Sequence, residues 1–512
     1  MYSAYKKIRR ETLKKSHYPR LVVAGTKGGS GKTTLSLGLI AAWREKGLKI
    51  TTYKKGPDYI DAGWLSFAAG RPCYNLDPFL VSKEKILSSF TGHYNDADCA
   101  VIEGNRGLYD GMDSAGTFST AELSRLLKSP VVLILDCTKV TRTAGAIVLG
   151  MQKFDRRVDI RGVVLNRIAG SRHEKIVTEA IEKYCGIPVV GSIPKLGNDF
   201  LSERHMGLTP FQEHPDVEKT ISFAAETANK YLDLEGILKI AQQAKPLSKG
   251  SDASSKLTPH PLPLTPCIVR IGIIRDSAFQ FYYPENFEEL EQRGAELIEI
   301  SALKQKELPE IDALYIGGGF PETNAIALAK NRGFRNSVKE AIENGLPVYA
   351  ECGGLMYLGK ALVLGNKEYP MADVFPIKFS LEKKPQAHGY TIVEVSKTNP
   401  FYAKGTELKG HEFHYSRVIG VGAKKGMGFS FKMKRGVGIA DKMDGIYYKN
   451  TLAAYTHLHA YGSPEWAEGL IKKAVEFKGK REKRLPQRRK ERRDFILFAA
   501  ERAANKKYSE LG

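Results

Sequence analysis

The sequence predicts an α/β protein built from two parallel-sheet halves, and three observations predict it. Short β-branched runs alternate with longer amphipathic stretches, which is the pattern of strands covered by helices. A Pro/Ser/Lys-rich stretch without apolar periodicity, 244–266, divides two such series. The chain's 512 residues also exceed what one hydrophobic core usually holds. Hydrophobic residues at 42% and charged residues at 26% are ordinary globular usage and exclude a fibrous or largely disordered chain.

In the first half the predicted strands are Leu21 to Ala24, Ala100 to Ile102, Val131 to Leu135, Gly162 to Leu165 and Val189 to Val190. In the second they are Ile271 to Ile274, Leu297 to Ile300, Ala313 to Ile316 and Val348 to Ala350. The resulting division is a basic N-terminal extension (1–20), a first domain (21–243), a linker (244–266), a second domain (267–477) and a basic tail (478–512). No apolar run reaches the roughly 18 residues of a spanning helix, and charges interrupt Met1 to Arg20 where a signal peptide needs an apolar core. A cytoplasmic protein without a membrane span is the expectation. Six cysteines, the closest two 26 residues apart, make neither a zinc motif nor a disulfide framework. The net charge of +21, with 13 basic and 5 acidic residues after Glu476, favours a polyanionic partner without naming one.

Leu21-Val-Val-Ala-Gly-Thr-Lys-Gly-Gly-Ser-Gly-Lys-Thr-Thr34 places a strand, a glycine turn and a helix-forming segment in succession. Backbone N–H groups of such a turn converge on phosphate oxygens, so Lys27, Gly28, Gly29, Gly31, Lys32, Thr33 and Thr34 are predicted to bind ATP. The Thr33 hydroxyl is a ligand for Mg²⁺, which also needs hard carboxylate oxygens; Asp58, Asp61 and Glu103 are the candidates. Thr51 to Asp61 is read as following a further, second strand, and Glu103 is expected at the end of the third. Beyond it, Gly104 to Gly111 reads as a loop closing over substrate, with Asp110 its polar contact. The loop has Thr26 at its first glycine position and the additional Lys27, as in partitioning and cell-division ATPases.

In the second half, Pro347-Val-Tyr-Ala-Glu-Cys-Gly-Gly-Leu-Met356 sets a cysteine at a strand-to-helix turn. Such an elbow exposes the sulfur, lets the following helix favour the thiolate, and offers the Gly353 amide to an oxyanion, with Gly318 and Gly319 supplying the other donor. Cys352 is therefore the predicted nucleophile. Its base is sought in Tyr455-Thr-His-Leu-His459, where His457 faces the thiol and His459 steadies it; Gly410-His-Glu-Phe-His-Tyr-Ser416 is a competing cluster.

Together with Lys55-Gly-Pro-Asp-Tyr-Ile-Asp61, Glu203-Arg-His-Met-Gly-Leu208, Arg275 to Asn286, Gly317-Gly-Gly-Phe-Pro-Glu322 and Pro385-Gln-Ala-His-Gly-Tyr390, these segments resemble, over Leu21 to Leu470, the glutamine-dependent cobyrinic acid a,c-diamide synthase family. The resemblance implies a dethiobiotin-synthetase-like P-loop domain joined to a class I glutaminase-like domain. It also implies ammonia released from glutamine at Cys352, with His457 as base, and an ATP-activated carboxylate of a polycarboxylate tetrapyrrole as acceptor. Tyr59, Asp61 and Asp110 match the family's substrate and activation positions, with Asp58 near the magnesium; Arg106 departs from the family and is added as a substrate residue because its guanidinium can pair with an extra carboxylate. His459 stands where many class I glutaminases carry an orienting glutamate, which predicts low basal glutaminase turnover. Asn105-Arg106 replaces the family's Val-Met and keeps sirohydrochlorin, its nickel form and sirohaem open as acceptors. The competing class is a nucleotide-switched ATPase, a homodimer with Lys27 crossing its interface and the tail on DNA. That reading leaves Cys352 and the histidines without work, so nucleic acid is not the expected partner.

Overall fold

Strand Arg20–Gly25 (β1) is buried at every position, as befits a strand covered by helices on both faces of a parallel sheet. It neighbours Cys99–Gly107 (β4) and Val131–Asp136 (β5) in a seven-stranded sheet of order β3-β2-β4-β1-β5-β6-β7, completed by Ile50–Lys55 (β2), Cys73–Leu76 (β3), Ile160–Ile168 (β6) and Val189–Pro194 (β7). All six pairings are parallel. The computed structural model describes residues 17–196, 203–204, 207–247 and 268–483. Most of the predicted N-terminal extension and linker, and the tail beyond 483, lie outside them.

The chain divides into two units, Met1–Pro259 with Phe281–Glu285, and His260–Gln280 with Asn286–Gly512. Two expectations need correction. An edge strand that the sequence does not signal, β3, reads Cys-Tyr-Asn-Leu and at four residues is too short for periodicity. Glu103 therefore sits on the fourth strand in chain order, and inside it rather than at its end.

A two-residue hairpin, Glu203–Arg204 (β8) with Gly207–Leu208 (β9), ends the strands of the first unit. The second unit opens with a parallel set, Val269–Ile274 (β10), Ala295–Ile300 (β11), Ala313–Ile316 (β12) and Val348–Glu351 (β13). A four-stranded sheet of order β15-β14-β16-β19 follows from Ala361–Leu364 (β14), Lys367–Pro370 (β15), Ile377–Leu381 (β16) and Ser416–Val421 (β19). The remaining strands, Ala387–Val395 (β17), Glu407–His414 (β18), Met427–Arg435 (β20), Met443–Tyr448 (β21), Thr451–Ala454 (β22) and His457–Leu458 (β23), extend the parallel set to the order β11-β10-β12-β13-β22-β21-β20-β17-β18-β23. Only β22 continues it in parallel; the pairings from β22 through β23 are antiparallel.

The predicted boundary at 477 is not a structural end. A helix runs on through 483, and its Arg481 guanidinium lies 2.9 Å from the buried Asp312 carboxylate. Among the described residues no helix is long and apolar enough to cross a membrane.

Candidate active sites

Strand β1 delivers the glycine turn to the start of helix Lys32–Glu45, where Gly29 and Gly31 have φ of 69° and 94°. Only residues without a Cβ adopt such angles freely. Ser30 closes the loop on itself: its hydroxyl donates to the Lys27 carbonyl at 2.8 Å and accepts the Lys27 N–H at 3.3 Å. From β6, the Asn166 side-chain amide donates to the Ser30 carbonyl at 2.9 Å. The loop is thus braced by a residue far away in sequence. Lys32 reaches back to the Lys27 carbonyl at 3.5 Å. Burial lowers the pKa of its ammonium, opposed by Glu103. Gly28 and Thr34 lie on the same turn and first helical turn, and a Cβ on Gly28 would meet nothing within 4 Å.

The carboxylates predicted for magnesium converge beside this loop. Thr33 Oγ1 donates to Glu103 Oε1 at 3.0 Å, and the buried Glu103 Oε2 has no hydrogen-bond partner. A lysine missed in the sequence occupies the centre of the cluster. The Lys54 ammonium, buried at the end of β2, lies 2.5 Å from Asp61, 2.7 Å from Glu103 and 3.7 Å from Asp58. Burial alone would lower its pKa, but Asp61 and Glu103 outweigh that and hold it well above the ordinary lysine value. The pair Asp58 and Asp61 splits: burial and its neighbour push Asp58 up, whereas Lys54 overcomes burial to hold Asp61 down. Asp58 also caps helix Tyr59–Ala69, accepting the Asp61 N–H at 3.0 Å. A lysine within a wholly buried strand was the available signal for Lys54.

The predicted substrate residues fare unequally. Asp61 joins the cluster. Tyr59 packs its ring against Phe281, centroids 5.4 Å apart and stacked, within the first unit. Asp110 is exposed and accepts the Gly107 N–H at 2.8 Å, so one of its oxygens holds the turn. Arg106 is exposed with φ of 52°. Lys27 lies 3.2 Å from Asp136 of its own chain, which Arg167 also pairs at 2.9 Å. Burial would raise the Asp136 pKa, but Thr138, Lys27 and Arg167 hold it down to about 2.

In the second unit Cys352 sits at a tight turn between β13 and helix Gly353–Leu358. Cys352 has φ 47° and ψ −98°, a strained conformation for a residue with a Cβ, and its N–H donates to the Ala454 carbonyl at 2.7 Å. The two glycines behind it are sterically required. A Cβ on Gly354 would stand 2.5 Å from the Ile316 carbonyl oxygen, and one on Gly353 would stand 3.0 Å from the Gly319 amide nitrogen. The same contact places the Gly319 and Gly353 backbones side by side, as an oxyanion pair needs. Gly318 is otherwise engaged at its carbonyl, which accepts the Gln280 N–H at 3.0 Å.

One expectation is corrected here. The helix after the cysteine spans only Gly353–Leu358, and burial, followed by Glu322 and Glu351, pushes the Cys352 thiol up. The residue is 6% exposed, and burial disfavours the thiolate, so a nucleophile here needs a base.

Both histidine clusters reach the same place, because β18 and β23 pair with His411 opposite His457. The rings stack at 4.9 Å, and burial together with His457 and His459 keeps the pKa of His411 well below the usual value. Gly410 permits the approach, since a Cβ there would meet the His457 carbonyl oxygen at 2.4 Å. His459 turns inward and accepts the Tyr461 N–H on Nδ1 at 3.2 Å. The carboxyl that sequence analysis found missing after His457 is present from elsewhere: Glu351 Oε2 lies 3.5 Å from His457 Nδ1. The five described cysteines are free.

Asp444 fixes the strand leading to His457 by accepting the Tyr455 and Thr456 N–H groups, each at 3.0 Å. Burial raises its pKa to about 6, against an ordinary value of 3.8. A raised folded value means stability present below about pH 4 and lost as pH climbs through 6. Asp444→Asn removes this titration. Its stability deficit relative to the parent is expected to shrink by about 1 kcal/mol between pH 5 and 7.5, read from paired denaturant titrations.

Residues 21–207 match the CobQ/CobB/MinD/ParA nucleotide binding domain family, and 270–465 match the CobB/CobQ-like glutamine amidotransferase domain family. The cobyrinate a,c-diamide synthase of Magnetococcus marinus is 41% identical over 454 residues, 89% of this chain and 97% of that one. That of Archaeoglobus fulgidus is 40% identical over 466 residues, 90% and 98% of the two chains. The Dehalococcoides mccartyi (strain ATCC BAA-2266) protein of the same name is 39% identical over 464 residues, 89% and 98%. Such identity along nearly the full length of both partners, carried by a nucleotide site and a cysteine elbow in one polypeptide, makes this chain a member of the cobyrinate a,c-diamide synthase family.

Proposed function

We propose that this chain uses ATP and glutamine to convert the a and c acetate carboxylates of cobyrinate to carboxamides. The observation that carries the reading is the presence, in one chain, of a phosphate loop beside a lysine–carboxylate cluster and of an elbow cysteine whose strand pairs with Thr451–Ala454, the strand that leads into His457.

Chemistry in the second unit begins when His457 takes the Cys352 proton and the sulfur attacks the glutamine side-chain amide. The C–N bond breaks, ammonia leaves with that proton, and water cleaves the glutamyl thioester to glutamate and free thiol. Gly319 and Gly353 N–H groups stabilise the oxyanion. In the first unit the γ-phosphoryl group passes from ATP to an acetate oxygen, giving an acyl phosphate and ADP. Ammonia then attacks the acyl carbon, phosphate departs, and the amide remains. Lys32 and Lys54 neutralise charge that develops on the transferring oxygens. Mg²⁺, when bound, would neutralise phosphate charge; Thr33 and the unpartnered Glu103 Oε2 fit it, with Asp58 adjacent. Asp61, Tyr59, Arg106 and Asp110 would orient the acceptor. The reading places the reaction in the cytoplasm, where ATP and glutamine are available, and a homodimer is compatible with it.

A specific residue pair favours a second set of acceptors. Asn105 and the exposed Arg106 follow Glu103 along β4 toward its end, and a guanidinium there suits the different carboxylate set of sirohydrochlorin, its nickel form or sirohaem.

The test supplies ATP, Mg²⁺, glutamine and each tetrapyrrole in turn, and reads amidated product by mass spectrometry with ADP and glutamate. Equal ADP, glutamate and amide are expected with cobyrinate. Cys352→Ala is expected to lose the glutamine-dependent reaction by at least about 10⁴-fold and to keep the ammonia-dependent one. Retention of glutamine-dependent turnover in that variant would overturn the reading.

A further inference from the structure

We propose that Glu351, the residue before the nucleophile, is the positioning residue of the glutaminase site and holds His457 as a base. The proposal rests on the reading of Cys352 and His457 given above. Glu351 ends β13, and its carboxyl is fully buried. Oε1 accepts the Leu458 N–H at 3.0 Å; Oε2 accepts the Tyr315 O–H at 3.0 Å and lies 3.5 Å from His457 Nδ1.

Its anchors are themselves anchored. The Asn286 side-chain amide donates to the Tyr315 hydroxyl at 3.4 Å and to the Leu458 carbonyl at 3.0 Å, while its oxygen accepts the Ala460 N–H at 2.8 Å. The segment just after His457 is thereby pinned to the same carboxyl that faces the ring. A purely structural carboxyl would be satisfied by Leu458 and Tyr315. Placing the second oxygen at Nδ1 as well couples the group to the imidazole.

A proton on Nδ1 directed at Glu351 leaves Nε2 bare, and only a bare nitrogen accepts the Cys352 proton. As that proton moves, the imidazole becomes a cation next to a carboxylate, and the charge is compensated within the site. When ammonia departs with the proton, the ring returns to neutral. Glu351 gains and loses nothing. His459, with Nδ1 on the Tyr461 N–H, is not arranged for this task. Since Glu351 and Cys352 are consecutive, one strand end delivers both nucleophile and orienter.

The experiment measures glutaminase kcat and KM, ammonia-dependent amidation and thermal melting for the full chain and four variants. Glu351→Gln is expected to lower glutaminase kcat at least 100-fold with KM and melting temperature unchanged, and Glu351→Asp to recover part of that loss. Should Glu351→Gln not fold, Tyr315→Phe, which removes one anchor of Oε2, is expected to lower kcat several-fold at constant KM. Glutaminase kcat within threefold of the parent in Glu351→Gln, or in Tyr315→Phe where that variant stands in, overturns the proposal. So does a Glu351→Gln loss shared by kcat, KM and melting temperature. Cys352→Ala separates the two levels: its inactivity beside an active Glu351→Gln removes the proposal alone, whereas its activity removes the underlying reading.

Discussion

Lys54→Met is expected to be the most damaging single substitution in the first unit. The ammonium lies 2.5 Å from Asp61 and 2.7 Å from Glu103, both at or near the base of the phosphate loop, and Lys54 is itself buried. Methionine keeps the volume and removes the charge, which takes from the two carboxylates the cation that contacts both of them. Breaking a buried pair in this way costs about 3–5 kcal/mol, roughly 10 °C of melting temperature for a domain of this size. The sign of the pH dependence follows. Lys54 is what holds the buried Asp61 carboxyl down; without it burial raises that folded-state pKa, so the variant's deficit shrinks as pH falls toward about 5 and widens toward 7.5. Amidation, with either glutamine or ammonia, is expected to fall at least about 100-fold, since the lost charge sits where phosphoryl transfer needs it. Denaturant titrations at the two pH values and ADP release check both parts. A variant as stable as the parent at pH 7.5 would show that solvent or a rearranged side chain compensates the carboxylates.

Gly31→Ala is the second. A Cβ there would stand 2.4 Å from the Asn166 side-chain nitrogen, on a residue whose φ is 94°. Either Asn166 withdraws and surrenders its bond to Ser30, or the loop opens. Both outcomes scatter the N–H groups that surround phosphate, and ATP affinity is expected to drop at least about 100-fold, as read by titration with a fluorescent ATP analogue. The double variant with Asn166→Ala removes the collision but not the backbone strain, which at ~1–2 kcal/mol leaves a deficit of roughly 10-fold. Full recovery in the double variant would mean that strain counts for nothing here.

Much of this was legible from residue order alone. A loop that must adopt positive φ advertises itself by glycine, and a cysteine followed by two glycines marks a turn where only small residues fit; local chemistry dictates both. Long-range partners leave no such trace. Nothing beside Asn166 says that it braces a loop more than a hundred positions earlier, and Lys54 looked like one of two neighbouring lysines until β2 and β4 set it between carboxylates. Glu351 stood within a recognised motif, yet its task depends on β23 returning with His457, which no periodicity in a two-residue strand predicts. The antiparallel strands of the second unit were missed for a related reason, as their alternation is diluted by glycines at tight approaches such as Gly410 and Gly445.

The helix that carries Arg481 divides the basic end of the chain into two parts with different physics. Its opening stretch is mortar: Lys478 donates to the Ile268 carbonyl at 2.6 Å, and Arg481 neutralises an Asp312 carboxylate that is 1% exposed. Trimming at 477 would therefore expose a wound in the second unit rather than remove an ornament.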